Sequence, residues 1–180
     1  MALDNADKIN NKRIRIIRLL KEQYGDLFVG GVHLSKLVLQ YAPDLVLPKV
    51  LTTRKHYLMV MKDADICIGT LGLHQSTGWK TAEYVAACKG IVNERLAYST
   101  LGPFVENINY FSFIDAEECC LQVEKLFSDP DKLYAMKKAN YDYYSKYLRP
   151  DLLVLNTLNY SVLGRKYAWS RDSGETGLTP

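Results

Sequence analysis

The stretch Ala64-Asp65-Ile66-Cys67-Ile68-Gly69 decides the fold, together with the loop Thr70-Leu71-Gly72-Leu73-His74-Gln75-Ser76-Thr77 and the run Gly78-Trp79-Lys80-Thr81-Ala82-Glu83-Tyr84-Val85-Ala86-Ala87-Cys88-Lys89-Gly90-Ile91-Val92. Residues 64–69 have few polar positions, as in a strand covered on both faces. A polar, glycine-containing loop spans residues 70–77. The spacing then predicts a helix from Gly78 to Lys89, ended by Gly90 as a left-handed cap, and a second strand opening at Ile91-Val92. Strand, helix and strand in this order make a parallel unit.

The same alternation extends in both directions. Lys8 to Tyr24 reads as a helix with Ile9, Ile16, Leu19 and Leu20 on one face and Lys12, Arg13, Arg15, Arg18 and Lys21 elsewhere. Gly25 stops it. Short strands are expected at Leu27-Phe28-Val29, running into Gly30-Gly31, and at Leu45-Val46-Leu47 between Pro43 and Pro48. Thr52 or Thr53 can cap a helix through Tyr57, Met59 and Met61. Downstream, Asn109 to Phe113 reads as the last strand. Asp115 caps a helix carrying Cys119, Cys120, Val123, Leu126 and Phe127 at helical spacing. Asp129-Pro130 starts another that runs to Arg149-Pro150, and residues 151–163 pack as a final helix. The expected fold class is α/β, a parallel sheet with helices on both faces, in one domain over residues 1–163 with a polar tail at 164–180. Ligands of such sheets bind beyond the carboxyl ends of the strands, at loops leading into helices.

Composition excludes several classes. With 48% hydrophobic and 24% charged residues in 180, the chain is not wholly disordered. A net charge of +3 and a pI near 8.6 are too mild for a nucleic-acid partner. Cys67 and Cys88 sit in apolar runs, and the vicinal Cys119-Cys120 suit neither an ordinary disulfide nor a zinc site, so reduced thiols and a cytoplasmic setting are expected. No stretch has the length of a signal peptide core or of a membrane span.

One loop combines the features of an anion site. Ser76, Thr77 and Gly78 are small enough for backbone N–H groups to approach a ligand, and the helix that begins there favours negative charge. Lys80 adds a cation in the first turn, against the helix dipole, which makes sense beside a phosphate. Glu83 lies one turn beyond Trp79 and Lys80, and its carboxylate could accept two hydrogen bonds from a vicinal diol such as a ribose. The plain alternative is an ordinary strand–loop–helix crossing in which Glu83 pairs with Lys80.

Residues 75–92 resemble the signature of retaining GT-B glycosyltransferases, the glycogen-synthase-like superfamily: Glu-Gly-Phe-Gly, four residues, Glu-Ala, then Cys/Gly-Lys/Arg-Pro-Val-Val. Its glycine falls at Gly78, its second acid at Glu83 and its strand at Ile91-Val92 without a gap. Ala64-Asp65-Ile66 is similar to the strand before it, and residues 115–147 to the helices after it. Ser76, Gly78, Trp79 and Lys80 together resemble a subgroup from bacterial surface-polysaccharide pathways. The resemblance implies a Rossmann-like domain that binds a nucleotide-sugar donor and needs no metal or other cofactor. Glu83 would hold the ribose hydroxyls, while His74, Gln75, Ser76, Thr77, Gly78 and Trp79 would contact the sugar and diphosphate. Lys80 would act catalytically, because negative charge grows on the departing nucleoside diphosphate.

Two departures stand beside this. The first acidic position of the motif is Gln75, and the acceptor domain and the donor domain's opening strand and loop are missing, so the chain reads as a fragment. A saccharide or lipid-linked acceptor would then reach it through a missing N-terminal domain. A non-catalytic nucleotide- or protein-binding module on the same fold is the alternative, and a half-protein completed by another chain is a third reading. His33 and Lys49 sit at strand ends that could border the crevice, whereas His56 reads as a surface residue. The basic face of the first helix suits plain solvation better than peripheral contact with a membrane. Tyr134, Tyr141, Tyr143, Tyr144 and Tyr147 crowd one helix, mostly as core, and any exposed rings would invite self-association. On this reading Glu83→Ala leaves the fold nearly unchanged.

Overall fold

Three parallel strands, β1 (Ile66–Gly69), β2 (Gly90–Glu94) and β3 (Phe111–Phe113), lie in that order in a computed structural model that describes residues 2–163. Ile66 pairs with Gly90 through to Gly69 with Asn93, and Val92 with Phe111 through to Glu94 with Phe113. Successive side chains face opposite ways, so β1 and β2 each feed two cores, while Phe111 and Phe113 of β3 both enter the first. Val92, Phe111 and Phe113 pack with Ile16 and Leu20 of α1 (Ala2–Tyr24) and with Cys119, Val123 and Leu126 of α5 (Ala116–Phe127). Cys67 and Ile91 pack on the other side with Met61 of α3 (Arg54–Asp63) and with Tyr84 and Val85 of α4 (Trp79–Ala86). The fold is thus a Rossmann-like α/β sheet with helices on both faces. Between α1 and α3 lies the short α2 (Lys36–Tyr41).

α6 (Pro130–Tyr143) contributes to both cores, Met136 to the first and Tyr143 to the second. Asp129 caps it through the N–H of Lys132, Thr53 caps α3 and Asp115 caps α5, as their residue types predict. The chain continues through one π-helical turn (Tyr144–Leu148) into α7 (Pro150–Leu163). Of the crowded tyrosines, Tyr143 is buried, Tyr144 and Tyr147 are half-buried, and Tyr134 and Tyr141 are exposed. Residues 164–180, the expected tail, lie outside the described part.

Four local expectations are corrected. Residues 27–29 form no strand: Gly25–Leu27 is a 3-10 turn, and Leu27 and Val29 are exposed. Residues 45–47 give only a parallel bridge, Val46 to Val32, with the Val32 N–H donating to Leu45 O and the Leu47 N–H to Val32 O. Pro43 and Pro48 flank that bridge and offer no N–H to extend it. Asn109 and Tyr110 stay outside β3 because their backbone groups are used locally: the Asn109 N–H donates to Val105 O, Asn109 O accepts from the Asn140 amide, and Tyr110 O accepts from the Asn107 N–H. The left-handed residue ending α4 is Cys88 (φ 53°), not Gly90. The Lys89 N–H reaches Tyr84 O and the Cys88 N–H reaches Val85 O, the paired bonds of a Schellman turn. Gly90 is instead favoured by packing, since a Cβ there would overlap the end of the Leu133 side chain and crowd Leu126 and Asp65 O.

Two substitutions probe these contacts. Cys88→Gly removes the left-handed penalty of an L-residue and is expected to stabilise the chain by about 1 kcal/mol. Asn140 is fully buried, accepting from the Asn109 amide and donating to Lys89 O and Asn109 O. Asn140→Ala strands those groups and should cost about 2–3 kcal/mol, read as a lower urea midpoint at unchanged slope.

Candidate functional site

The loop between β1 and α4 leaves the carboxyl edge of the sheet, and α1 fixes its start. Arg13 donates to Thr70 Oγ1 and Leu71 O, each at 3.0 Å. Lys12 Nζ lies 2.6 Å from Glu94 Oε1 and also reaches Ile114 O, while Glu94 Oε2 accepts the Leu71 N–H at 2.9 Å. A recess of about 100 Å³ opens there, lined by Lys8, Ile9, Lys12, Arg13, Thr70 and Glu94. Behind the loop, Gly69 makes room for Asn93, whose buried Oδ1 accepts from Thr81 Oγ1.

The middle of the loop is strained. His74 (φ 56°) and Gln75 (φ 58°) are consecutive L-residues in the left-handed region, which costs roughly 1–2 kcal/mol apiece. Within the turn the Ser76 N–H donates to Leu73 O and the Gly72 N–H to Ser76 O. From outside it, Tyr98 Oη donates to His74 O at 3.0 Å. Residues 73–77, including His74, Gln75, Ser76 and Thr77, are exposed.

Gly78 is the N-cap of α4 and no side chain caps the helix. Its φ of −68° suits any residue, and a Cβ would meet nothing nearer than Thr70 O at 3.9 Å. Neither backbone conformation nor packing therefore calls for glycine there. Trp79 follows, 80% exposed.

Lys80 and Glu83 turn toward α3. The plain expectation of a Glu83–Lys80 pair is not met: Glu83 Oε1 lies 2.6 Å from Arg54 Nη2, and Oε2 accepts from Tyr57 Oη at 2.9 Å. Arg54 and Lys80 both stand over the Tyr57 ring, 5.5 and 5.6 Å from its centroid. Hydrogen bonding to Arg54, then to Tyr57, holds the Glu83 carboxyl below its ordinary range. Burial raises the Tyr57 hydroxyl, helped by Tyr84 and Glu83, and pushes Tyr84 up to about 12. Glu83 thus ties α4 to α3 through two contacts that its local spacing did not foretell.

The candidate residues fall into two groups. His74 turns its carbonyl to the β2–β3 connection, Lys80 and Glu83 face α3, and Gly78 lies between. Arg54, Tyr57 and Tyr98 were missed by sequence reading, because no local spacing links them to the loop. His33 is exposed beside the Val32–Val46 bridge, Lys49 is exposed in a 3-10 turn, and His56 is half-buried in the first turn of α3. The four cysteines are free thiols, and burial pushes Cys67 up to about 12, which makes it a poor nucleophile. Among the described residues no cluster of three or more His, Cys, Asp or Glu side chains could hold a metal, and no helix is long and apolar enough to cross a membrane.

A carboxyl held below its ordinary value stabilises the fold above the unfolded glutamate range, and this contribution is lost as pH falls through the folded value. The melting-temperature gap between the parent chain and Glu83→Gln should therefore be widest near neutral pH and close in acid; a gap independent of pH would contradict the ion pair. No family model, curated protein or solved structure matches the chain.

Proposed function

We propose that this chain is the nucleotide-sugar donor-binding part of a retaining GT-B glycosyltransferase, which moves a sugar from a nucleoside diphosphate to an acceptor hydroxyl. The observation that carries the reading is Gly78: a glycine that its own fold does not need, at an uncapped helix start. A ligand approaching the backbone would need it. The N–H groups at the start of α4 would face the diphosphate, and Lys80 would stabilise the charge that grows on it as the glycosidic bond breaks. A carboxylate has about four acceptor positions, so Glu83 can hold a ribose diol while keeping Arg54 and Tyr57, and those partners pre-orient it. No metal or other cofactor has a part in this reading. The setting proposed is the cytoplasm, with a saccharide or lipid-linked acceptor bound by a second domain; without such a domain donor binding would be weak and transfer negligible.

A second reading, a non-catalytic nucleotide- or protein-binding module, draws on two observations. Gln75 supplies no charge at the motif's first acidic position, and Glu83 already has an ion-pair partner in Arg54.

Calorimetric titration with UDP, GDP, ADP and CMP tests the proposal. One nucleotide should bind selectively. Glu83→Gln should weaken it by about 1.5–3 kcal/mol, as for a lost charged hydrogen bond, and Gly78→Val should abolish it in a chain that still folds. No binding to the folded chain, or undiminished binding in both variants, would refute the donor site.

A further inference from the structure

The β2–β3 connection, residues 95–110, is anchored firmly at one end and touches the strained turn at the other. At the anchored end, Phe104 stacks on Tyr110 with ring centroids 5.1 Å apart and packs against Tyr143, which in turn packs on Tyr147. Tyr143 Oη donates to Leu101 O, and Asn109 binds the connection to Asn140 of α6. Gly102 lies against the Tyr147 ring with a φ of +68°, where a Cβ would overlap that ring. At the other end Tyr98, itself 61% exposed, has its hydroxyl on His74 O.

We infer that this connection is a strap and Tyr98 a positioning residue: its hydroxyl holds the left-handed His74–Gln75 turn and so sets the backbone of Ser76 to Trp79 that would face the diphosphate. Two consecutive L-residues in the left-handed region persist only where surrounding contacts over-determine them. The turn's own bonds, Ser76 to Leu73 and Gly72 to Ser76, close it but do not attach it to the rest of the molecule. The His74 carbonyl is where an outside contact can do so, and Tyr98 meets it. Because Tyr98 is mostly exposed, its hydroxyl contributes little to the core, so its removal acts on the turn. The ligand role of the turn rests on the donor-site reading; the strap itself does not.

Tyr98→Phe deletes the one oxygen, and two readouts separate the ideas. Hydrogen exchange follows the Gly72 and Ser76 amides, which report the turn, against Ile91 and Leu126, which report the core. The strap predicts exchange about three- to tenfold faster at Gly72 and Ser76, as for one lost hydrogen bond, with the core amides unchanged. Titration compares UDP, GDP and ADP with their nucleosides, and Tyr98→Phe should weaken the diphosphates several-fold while leaving nucleoside binding unchanged, a split that general loosening of the fold would not produce. Unchanged exchange at Gly72 and Ser76 overturns the strap, whatever the chain binds. Faster exchange in a chain that binds no nucleotide upholds the strap and removes the donor-site reading. Faster exchange with diphosphate binding intact overturns Tyr98 as a positioning residue and leaves the donor site standing.

Discussion

The Glu94 carboxylate, at the carboxyl end of the central strand, holds together the edge from which the candidate site is built. One oxygen takes the Lys12 ammonium of α1 and the other the Leu71 N–H just beyond β1. Lys12 also reaches Ile114 just beyond β3, so a single ion pair touches the ends of all three strands. Strands of four, five and three residues form few ladder bonds, and parallel pairing is slightly the weaker kind. Such a sheet persists because helices cover both faces, and Lys12 and Arg13 tie α1 to the sheet's carboxyl edge. The pair is half-sheltered, with Glu94 17% exposed, and losing one partner would leave the other charge poorly solvated.

From that edge outward, constraint is unevenly distributed along the β1–α4 loop. Its first two residues are fixed by Arg13 and Glu94, and its exit into α4 is held by the Thr81–Asn93 bond and by Glu83 on Arg54 and Tyr57. Between these clamps the backbone enters the left-handed region twice and its side chains face solvent. A strained, exposed turn between rigid ends suits a ligand-facing segment, because strain is tolerated where the surrounding structure holds it. Beyond the turn, Glu83 serves as a tie between α4 and α3.

The strongest elements were legible because their signals are local. The apolar run at 64–69, the caps at Thr53, Asp115 and Asp129, and the helical spacing of α5 each depend on neighbours a few residues away. Where local signals could serve two purposes, the expectation failed. A glycine after a helix reads as a left-handed cap, yet Gly90 answers to Leu133 on α6 and Cys88 takes the left-handed turn. Short apolar runs at 27–29 and 45–47 read as strands, but an extended segment becomes a strand only when a partner supplies its hydrogen bonds, and here one bridge forms.

For the candidate site the division is the same. The amino-acid sequence by itself determined an α/β chain with a small-residue loop opening a helix, because alternating apolar runs and glycine placement act through the nearest turn of backbone. Only the tertiary structure decided that Glu83 meets Arg54 and Tyr57 rather than Lys80, that Arg13 and Glu94 fix the loop's start, and that Tyr98 meets His74. Each of those contacts joins residues brought together by sheet closure, so its energy exists only once the helices have packed onto the strands.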